Sequence, residues 1–289
     1  MHWQTARFEI DLARPQVMGI VNLTPDSFSD GGHHADPAAG LRHAEQLLKE
    51  GADILDVGAE STRPGAPPVP LEQELERLMP WIQEAVRWGV PVSVDTYKPQ
   101  VMRAVLDAGV DIVNDIWALR QPGALEVVTG HARCGVCLMH MHRDPQSMQM
   151  QPMQGDVVCE VTRFLGERTQ ALLTAGVERE RLVIDYGIGF GKTAEQNFSL
   201  LQAQSALLQA GYPLLAGWSR KSSLGAVLAD DGLPPVPPFQ RVTASVAAAL
   251  LSVERGASIV RVHDVRPTVE ALRVWRAAQA TRIVGEQNS

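Results

Sequence analysis

Short runs of β-branched and other apolar residues recur along this chain, each followed by a polar or glycine-containing turn and then by a stretch with helical spacing. Eight such runs stand out: VMGIV (17–21), DILDV (53–57), VPVSV (90–94), DIVN (111–114), GVCLM (135–139), RLVID (181–185), YPLLAG (212–217) and SIVRV (258–262). Between them lie helical stretches such as AAGLRHAEQLLKEG (38–51), LEQELERLMPWIQEAVRWG (71–89) and PQVMRAVLDAGV (99–110). DVVCEVTRFLGERTQALLTAG (156–176) and VTASVAAALLSVERG (242–256) have the same spacing, and PTVEALRVWRAAQA (267–280) follows the last run. Strands that are apolar throughout need cover on both faces, and crossover helices between parallel strands supply it. Eight βα units predict an α/β fold, a single (β/α)8 TIM barrel, although an open doubly wound sheet shares the same local pattern.

With 289 residues the chain has the length of one such barrel, and 45% hydrophobic residues are enough for its core. We divide it into an N-terminal extension (1–16), the barrel (17–282) and a disordered tail (283–289). The proline-rich DDGLPPVPPF (230–239) resembles a linker, but too little chain follows it for a second domain. A net charge of −7 argues against nucleic-acid binding. No apolar run reaches the roughly 18 residues of a membrane span, and MHWQTARFEIDLARP has no apolar core after a basic head. A cytoplasmic protein is expected. Cys134 and Cys137 form a C-x-x-C, but a redox pair usually opens a helix, and this one leads into an apolar strand.

A parallel barrel places its chemistry at the C-terminal ends of its strands. In chain order those ends carry Asn22; Glu60, Ser61, Thr62 and Arg63; Asp95; Asn114 and Asp115; Met139 and His140; and Asp185. The last two carry Ser219, Arg220, Lys221 and Ser222, and then Arg261, His263 and Asp264. Any one of these alone is readily a cap or turn residue; as a set they are hard to explain by packing. Asp95 and Asp185 accept hydrogen bonds and Asn114 both donates and accepts, which suits a flat heterocycle with adjacent N–H groups. Arg63, Arg220, Lys221 and Arg261, with His263, suit an anion such as a phosphate. SRKSSLGAVL (219–228) also reads as a helix start, although a solvated basic turn explains it equally well. GIGFGK (187–192) has the spacing of neither a P-loop nor a dinucleotide fingerprint and reads as a loop. The histidines and methionines of MHMHRDPQSMQMQPM (139–153) lack the fixed ligand spacing of a copper site.

The motifs NLTPDSFSDGG (22–32), ESTRPGA (60–66), SVDTYKP (93–99), NDI (114–116), LMHM (138–141), DYGIGFGK (185–192), GWSRKSSLG (217–225) and RVHDV (261–265) occur in order along nearly the whole chain. In sequence and spacing they resemble the dihydropteroate synthase family. The resemblance implies a (β/α)8 barrel, usually a homodimer, that uses Mg2+ and joins a pterin pyrophosphate to p-aminobenzoate. It assigns Asp95, Asn114, Asp185 and Lys221 to the pterin ring, with Met139 as its floor. Arg261 is to stack on the ring and approach the diphosphate, while Asn22 and His263 hold the diphosphate, Asn22 also reaching the metal. Thr62, Arg63 and Ser222 belong near p-aminobenzoate, with Phe190 and Pro64 as apolar walls. Asp95, Lys221 and Arg63 are the catalytic candidates. Family members often have proline where Tyr186 follows Asp185, which leaves the shape of that loop in question. A corrinoid-dependent pterin methyltransferase would share the barrel and the acids without needing the diphosphate cations. A non-catalytic pterin binder should have lost anion or loop residues, and they are present here. Loops 22–36 and 58–70 are expected to close over the site.

Overall fold

The computed structural model describes residues 1–24, 37–61 and 65–280. Its eight parallel strands close into a barrel: β3 (Gln16–Asn22), β4 (Ile54–Gly58), β5 (Val92–Asp95), β6 (Ile112–Asp115), β7 (Gly135–Met139), β8 (Leu182–Asp185), β9 (Leu214–Ala216) and β10 (Ile259–Val262). Each pairs with its sequence neighbour, and β10 pairs with β3 to close the ring. The doubly wound alternative is thereby excluded. Strands β5 and β9 begin later than the apolar runs suggest. Pro91 and Pro213 precede them and have no N–H to donate to a ladder.

Alternation along each strand separates two cores. Outward residues such as Leu55, Val57, Val92 and Val94 pack under helices Pro37–Glu50, Leu71–Ala85 and Val265–Ala280. On the other side of the molecule, Val113, Val136, Leu138 and Ile184 pack under Val157–Thr174. Inside the ring, the N-terminal ends of the strands contribute Met18, Ile54, Ile112, Cys137, Val183, Leu215 and Ile259.

That inner layer is sealed by the N-terminal extension, an antiparallel hairpin of β1 (His2–Gln4) and β2 (Glu9–Asp11). Trp3 is fully buried against the layer, with Ile10 and Leu12 beside it, and its indole N–H donates to the Arg181 carbonyl at 2.9 Å. Gly135 makes room for it, because a Cβ there would lie 3.1 Å from both the Trp3 ring nitrogen and Thr5 Cγ2. Arg7 fastens the hairpin to the barrel through a two-pronged contact with Asp111. The helices Ala124–Gly130 and Gln204–Leu208 are too short for helical spacing to set them apart in sequence. Residues 283–289 lie outside the described residues.

Candidate active site

At the opposite end of the ring the inward positions turn polar. Asp56 follows Ile54 on the inner face of β4, Asp95 ends β5, Asn114 faces inward from β6, Asp185 ends β8, and Arg261 points in from β10. The Arg261 guanidinium reaches past β3 to both acids, donating from Nε to Asp56 Oδ2 at 2.6 Å and from Nη2 to Asp95 Oδ2 at 2.9 Å. Asp56 also accepts from Ser93 Oγ at 2.5 Å and Asn114 Nδ2 at 3.3 Å. Burial works against the Arg261 charge, but the two carboxylates outweigh it and hold its proton more tightly than usual. Burial pushes the Asp95 carboxyl up to about 7; Arg261 opposes that rise, while Asp56, Asp115 and Glu74 add to it.

Asp185 is buried and raised by desolvation, against which the Gly187 N–H (2.7 Å to Oδ1), Lys221, Lys192 and Arg261 all work. Tyr186 turns outward into the helix layer. Its hydroxyl donates to Gln204 Oε1 at 3.1 Å and accepts from Trp218 Nε1 at 3.2 Å. The Asp185 carboxylate before it still points inward. Lys221 Nζ lies 4.3 Å from the centroid of the Phe190 ring, and burial, with the Arg261 charge, lowers its pKa to about 8. Met139 and Phe190 are buried with Ile116, Met141 and Met148 in one apolar cluster beside these groups. An acidic and amide floor, an apolar wall and two cations thus share one mouth.

His263 follows β10, and its Nδ1 lies 3.0 Å from Ser219 Oγ, which fixes the ring. Ser222 opens the helix Ser222–Val227 and is exposed, and Asn22 sits half-buried at the mouth end of β3. Arg220 donates to both oxygens of Asp264 at 2.6 and 2.9 Å, an ion pair between the ends of β9 and β10. Thr62, Arg63 and Pro64, and most of the NLTPDSFSDGG segment, lie outside the described residues. Next to them, Glu60 is held by the Tyr97 hydroxyl at 2.8 Å, the Val69 N–H at 3.2 Å and the Lys98 ammonium, which also meets Glu74.

Two functional groups escape a reading of strand ends. Asp56 lies mid-strand, and its signal is the alternation of ILDVG, which puts Ile54, Asp56 and Gly58 on one face. Lys192 is buried in the glycine-rich loop, with Nζ 2.9 Å from His140 Nδ1, 2.9 Å from the Gly187 carbonyl and 3.2 Å from that of Phe190. Desolvation, with Lys192 nearby, lowers the His140 pKa to about 2, leaving a neutral ring beside the Lys192 nitrogen. Gly187 is obligatory here, because its φ is +66° and a Cβ would fall 1.9 Å from the His140 carbonyl oxygen.

Residues 18–263 match the family model described as pterin binding enzyme. The dihydropteroate synthase of Neisseria meningitidis serogroup B is 49% identical over 280 residues, covering 95% of this chain and 96% of that protein. That of Escherichia coli K12 is 44% identical over 274 residues, covering 94% and 95%. Among solved structures, Xanthomonas albilineans dihydropteroate synthase with 4-aminobenzoic acid superposes with a TM-score of 0.88 at 50% identity, covering 97% of this chain and 100% of that one. Burkholderia cenocepacia dihydropteroate synthase complexed with 7,8-dihydropteroate gives 0.86 at 51% identity, covering 96% of each. Family match, near-complete coverage and a site of the expected character agree: the chain belongs to the dihydropteroate synthase family of pterin-binding enzymes.

Proposed function

We infer that this chain condenses 6-hydroxymethyl-7,8-dihydropterin pyrophosphate with p-aminobenzoate to give 7,8-dihydropteroate and pyrophosphate, a carbon–nitrogen bond-forming transfer in folate biosynthesis. The observation that carries this reading is the set of buried Asn114 and Asp185 and part-buried Asp95 gathered with Arg261 and Lys221 at one barrel mouth. Asp185, one oxygen already held by the Gly187 N–H, accepts the adjacent ring N–H groups of the pterin. Asn114 and Lys221 meet the remaining ring heteroatoms, Met139 forms the floor and Phe190 an apolar wall. His263 and Asn22 hold the diphosphate, and Arg261 lies between ring and diphosphate. Thr62, Arg63 and Ser222 bind p-aminobenzoate, with Pro64 as a second wall.

The aromatic amine is neutral near pH 7 and attacks the pterin methylene carbon without a strong base. The barrier lies in parting from a highly charged leaving group, so groups that stabilise charge as it develops dominate the catalysis. Asp95, in its carboxylate form, stabilises positive charge spreading into the ring. Lys221 and Arg63 complete the catalytic set.

Magnesium fits this arrangement. Asn22 offers one oxygen donor at the mouth, and magnesium characteristically keeps several waters and substrate phosphate oxygens around one or two protein ligands. When bound, the ion would neutralise the departing diphosphate.

A homodimer belongs to the same reading. Val227, Leu228, Leu251 and Val274 are exposed apolar residues on or beside the last three helices, and Leu233 and Phe239 are exposed in the proline-rich loop between them. Such a concentration suits burial against a second copy. Operation in the cytoplasm is part of the proposal; among the described residues no helix is long and apolar enough to cross a membrane. Incubation of the purified chain with both substrates and magnesium, followed by mass analysis, should show dihydropteroate. Consumption of neither substrate would overturn the assignment.

A further inference from the structure

Asn114 points into the pocket, so the next residue of β6, Asp115, points out of it, and it is fully buried beneath the helix layer. Its two oxygens go to two backbone N–H groups of the following turn: Oδ1 accepts from Trp117 at 2.8 Å and Oδ2 from Leu119 at 2.7 Å. From the other side, Arg168 on helix Val157–Thr174 donates Nε to the Ala118 carbonyl at 2.9 Å and Nη2 to that of Leu119 at 3.2 Å. The backbone held between them is unusual. Ala118 and Leu119 both have positive φ, +51° and +55°, and no other two consecutive non-glycine residues do so among the described residues. An L-residue takes that conformation only against a steric penalty, and two in succession require an external hold.

The turn has a direct bearing on the site. It begins with Ile116, which packs with Met139 and Phe190, and with Trp117, which lies against the same cluster with its ring tilted at 51° to that of Tyr97. Arg120 covers the outer side of Trp117 with its guanidinium 5.0 Å from the ring centroid. Relaxation of residues 118 and 119 to the right-handed region would swing the chain that carries Ile116 and Trp117, and would pull on Asn114 just before it.

We propose that Asp115 and Arg168 are positioning residues for pterin binding: from outside the barrel they clamp the left-handed pair Ala118–Leu119 and so keep Ile116 and Asn114 aligned with the ring site. Neither side chain touches substrate. The inference rests on the reading of this mouth as the pterin pocket.

The test uses the full chain and four proteins: wild type, Asp115→Asn, Arg168→Met, and Asp115→Asn combined with Ala118→Gly. Asp115→Asn keeps the size of the side chain but leaves one acceptor oxygen for two N–H groups. Calorimetric titration with 6-hydroxymethylpterin should show binding weakened about tenfold in Asp115→Asn and in the same direction in Arg168→Met. The KM for p-aminobenzoate should stay within about twofold of wild type, since its site lies on other loops. Adding Ala118→Gly should recover most of the lost pterin affinity, because glycine takes positive φ without the steric penalty. A merely structural role for Asp115 predicts a different pattern: unchanged affinity in the folded fraction, with the glycine moving stability alone. Should Asp115→Asn fail to fold, Arg168→Met alone decides. Wild-type pterin affinity in a folded single variant, or no recovery with glycine, would overturn the proposal. A wild-type chain that binds no pterin would instead remove the pocket assignment on which it rests.

Discussion

With Asp95 and Lys221 in the proposed catalytic roles, their charge states set the pH range in which the site works. Burial raises the Asp95 carboxyl to about 7 and lowers Lys221 to about 8. Below about pH 7 Asp95 gains a proton and no longer stabilises a cationic ring; above about 8 Lys221 loses one and no longer supplies a charge. A bell-shaped profile of kcat/KM for the pterin pyrophosphate follows, with its limbs reporting the free enzyme. Replacing Lys221 with Arg should carry the alkaline limb out of range even if turnover falls, because a guanidinium stays protonated. An alkaline limb that stays in place would show that another group governs it. Asp185 tests recognition itself. If Asp185 accepts from ring N–H groups as proposed, Asp185→Asn puts an amide in place of that carboxylate, and pterin affinity should fall by about 1–3 kcal/mol. An unchanged titration curve for the folded variant would exclude that contact.

At the scale of elements, the loop from β8 to helix Ala194–Gln202 is tied down by a buried ammonium with no carboxylate bonded to it. Desolvation lowers the Lys192 pKa to about 7, so between about pH 7 and 10 the unfolded chain binds more protons at this residue than the folded one. Stability should therefore rise with pH through that window on account of Lys192. Lys192→Met removes that slope. Relative to wild type, the variant should be most favoured at or below pH 7 and progressively less so toward pH 10, as read by urea unfolding at both ends. A difference independent of pH would mean that Lys192 keeps its ordinary pKa and stays charged when buried. Such contacts mark the limit of what this sequence discloses. The eight barrel strands were legible because apolar runs bounded by turns repeat at regular intervals, and the strand-end positions of Asp95, Asn114, Asp185 and Arg261 followed from them. Asp56 was hidden by looking only at strand ends. The pairing of Arg220 with Asp264, 44 positions apart, depends on β9 and β10 lying side by side and has no local signature.

For the molecule as a whole, the two ends of the barrel have separate tasks. One is filled with apolar side chains and plugged by Trp3, the other is polar and open to ligands. The three-residue strands of the plug are too short for alternation to announce them, so residues 1–16 read as an extension that plugs or edges the barrel, without its hairpin. Trp3→Ala should cost about 3–5 kcal/mol of stability, the usual loss for a fully buried large side chain. Activity per folded molecule should be unchanged, because the cavity opens at the far end from the site. A variant with wild-type stability, or with normal stability and lost turnover, would break this division of labour.

Coupled pyrophosphate release tests most directly whether the mouth ties departure of pyrophosphate to attack by an aromatic amine. With the purified chain and magnesium, pyrophosphate should appear only when both the pterin pyrophosphate and p-aminobenzoate are present, in one-to-one ratio with dihydropteroate. Release with the pterin substrate alone at the same rate, or none with both, would contradict it.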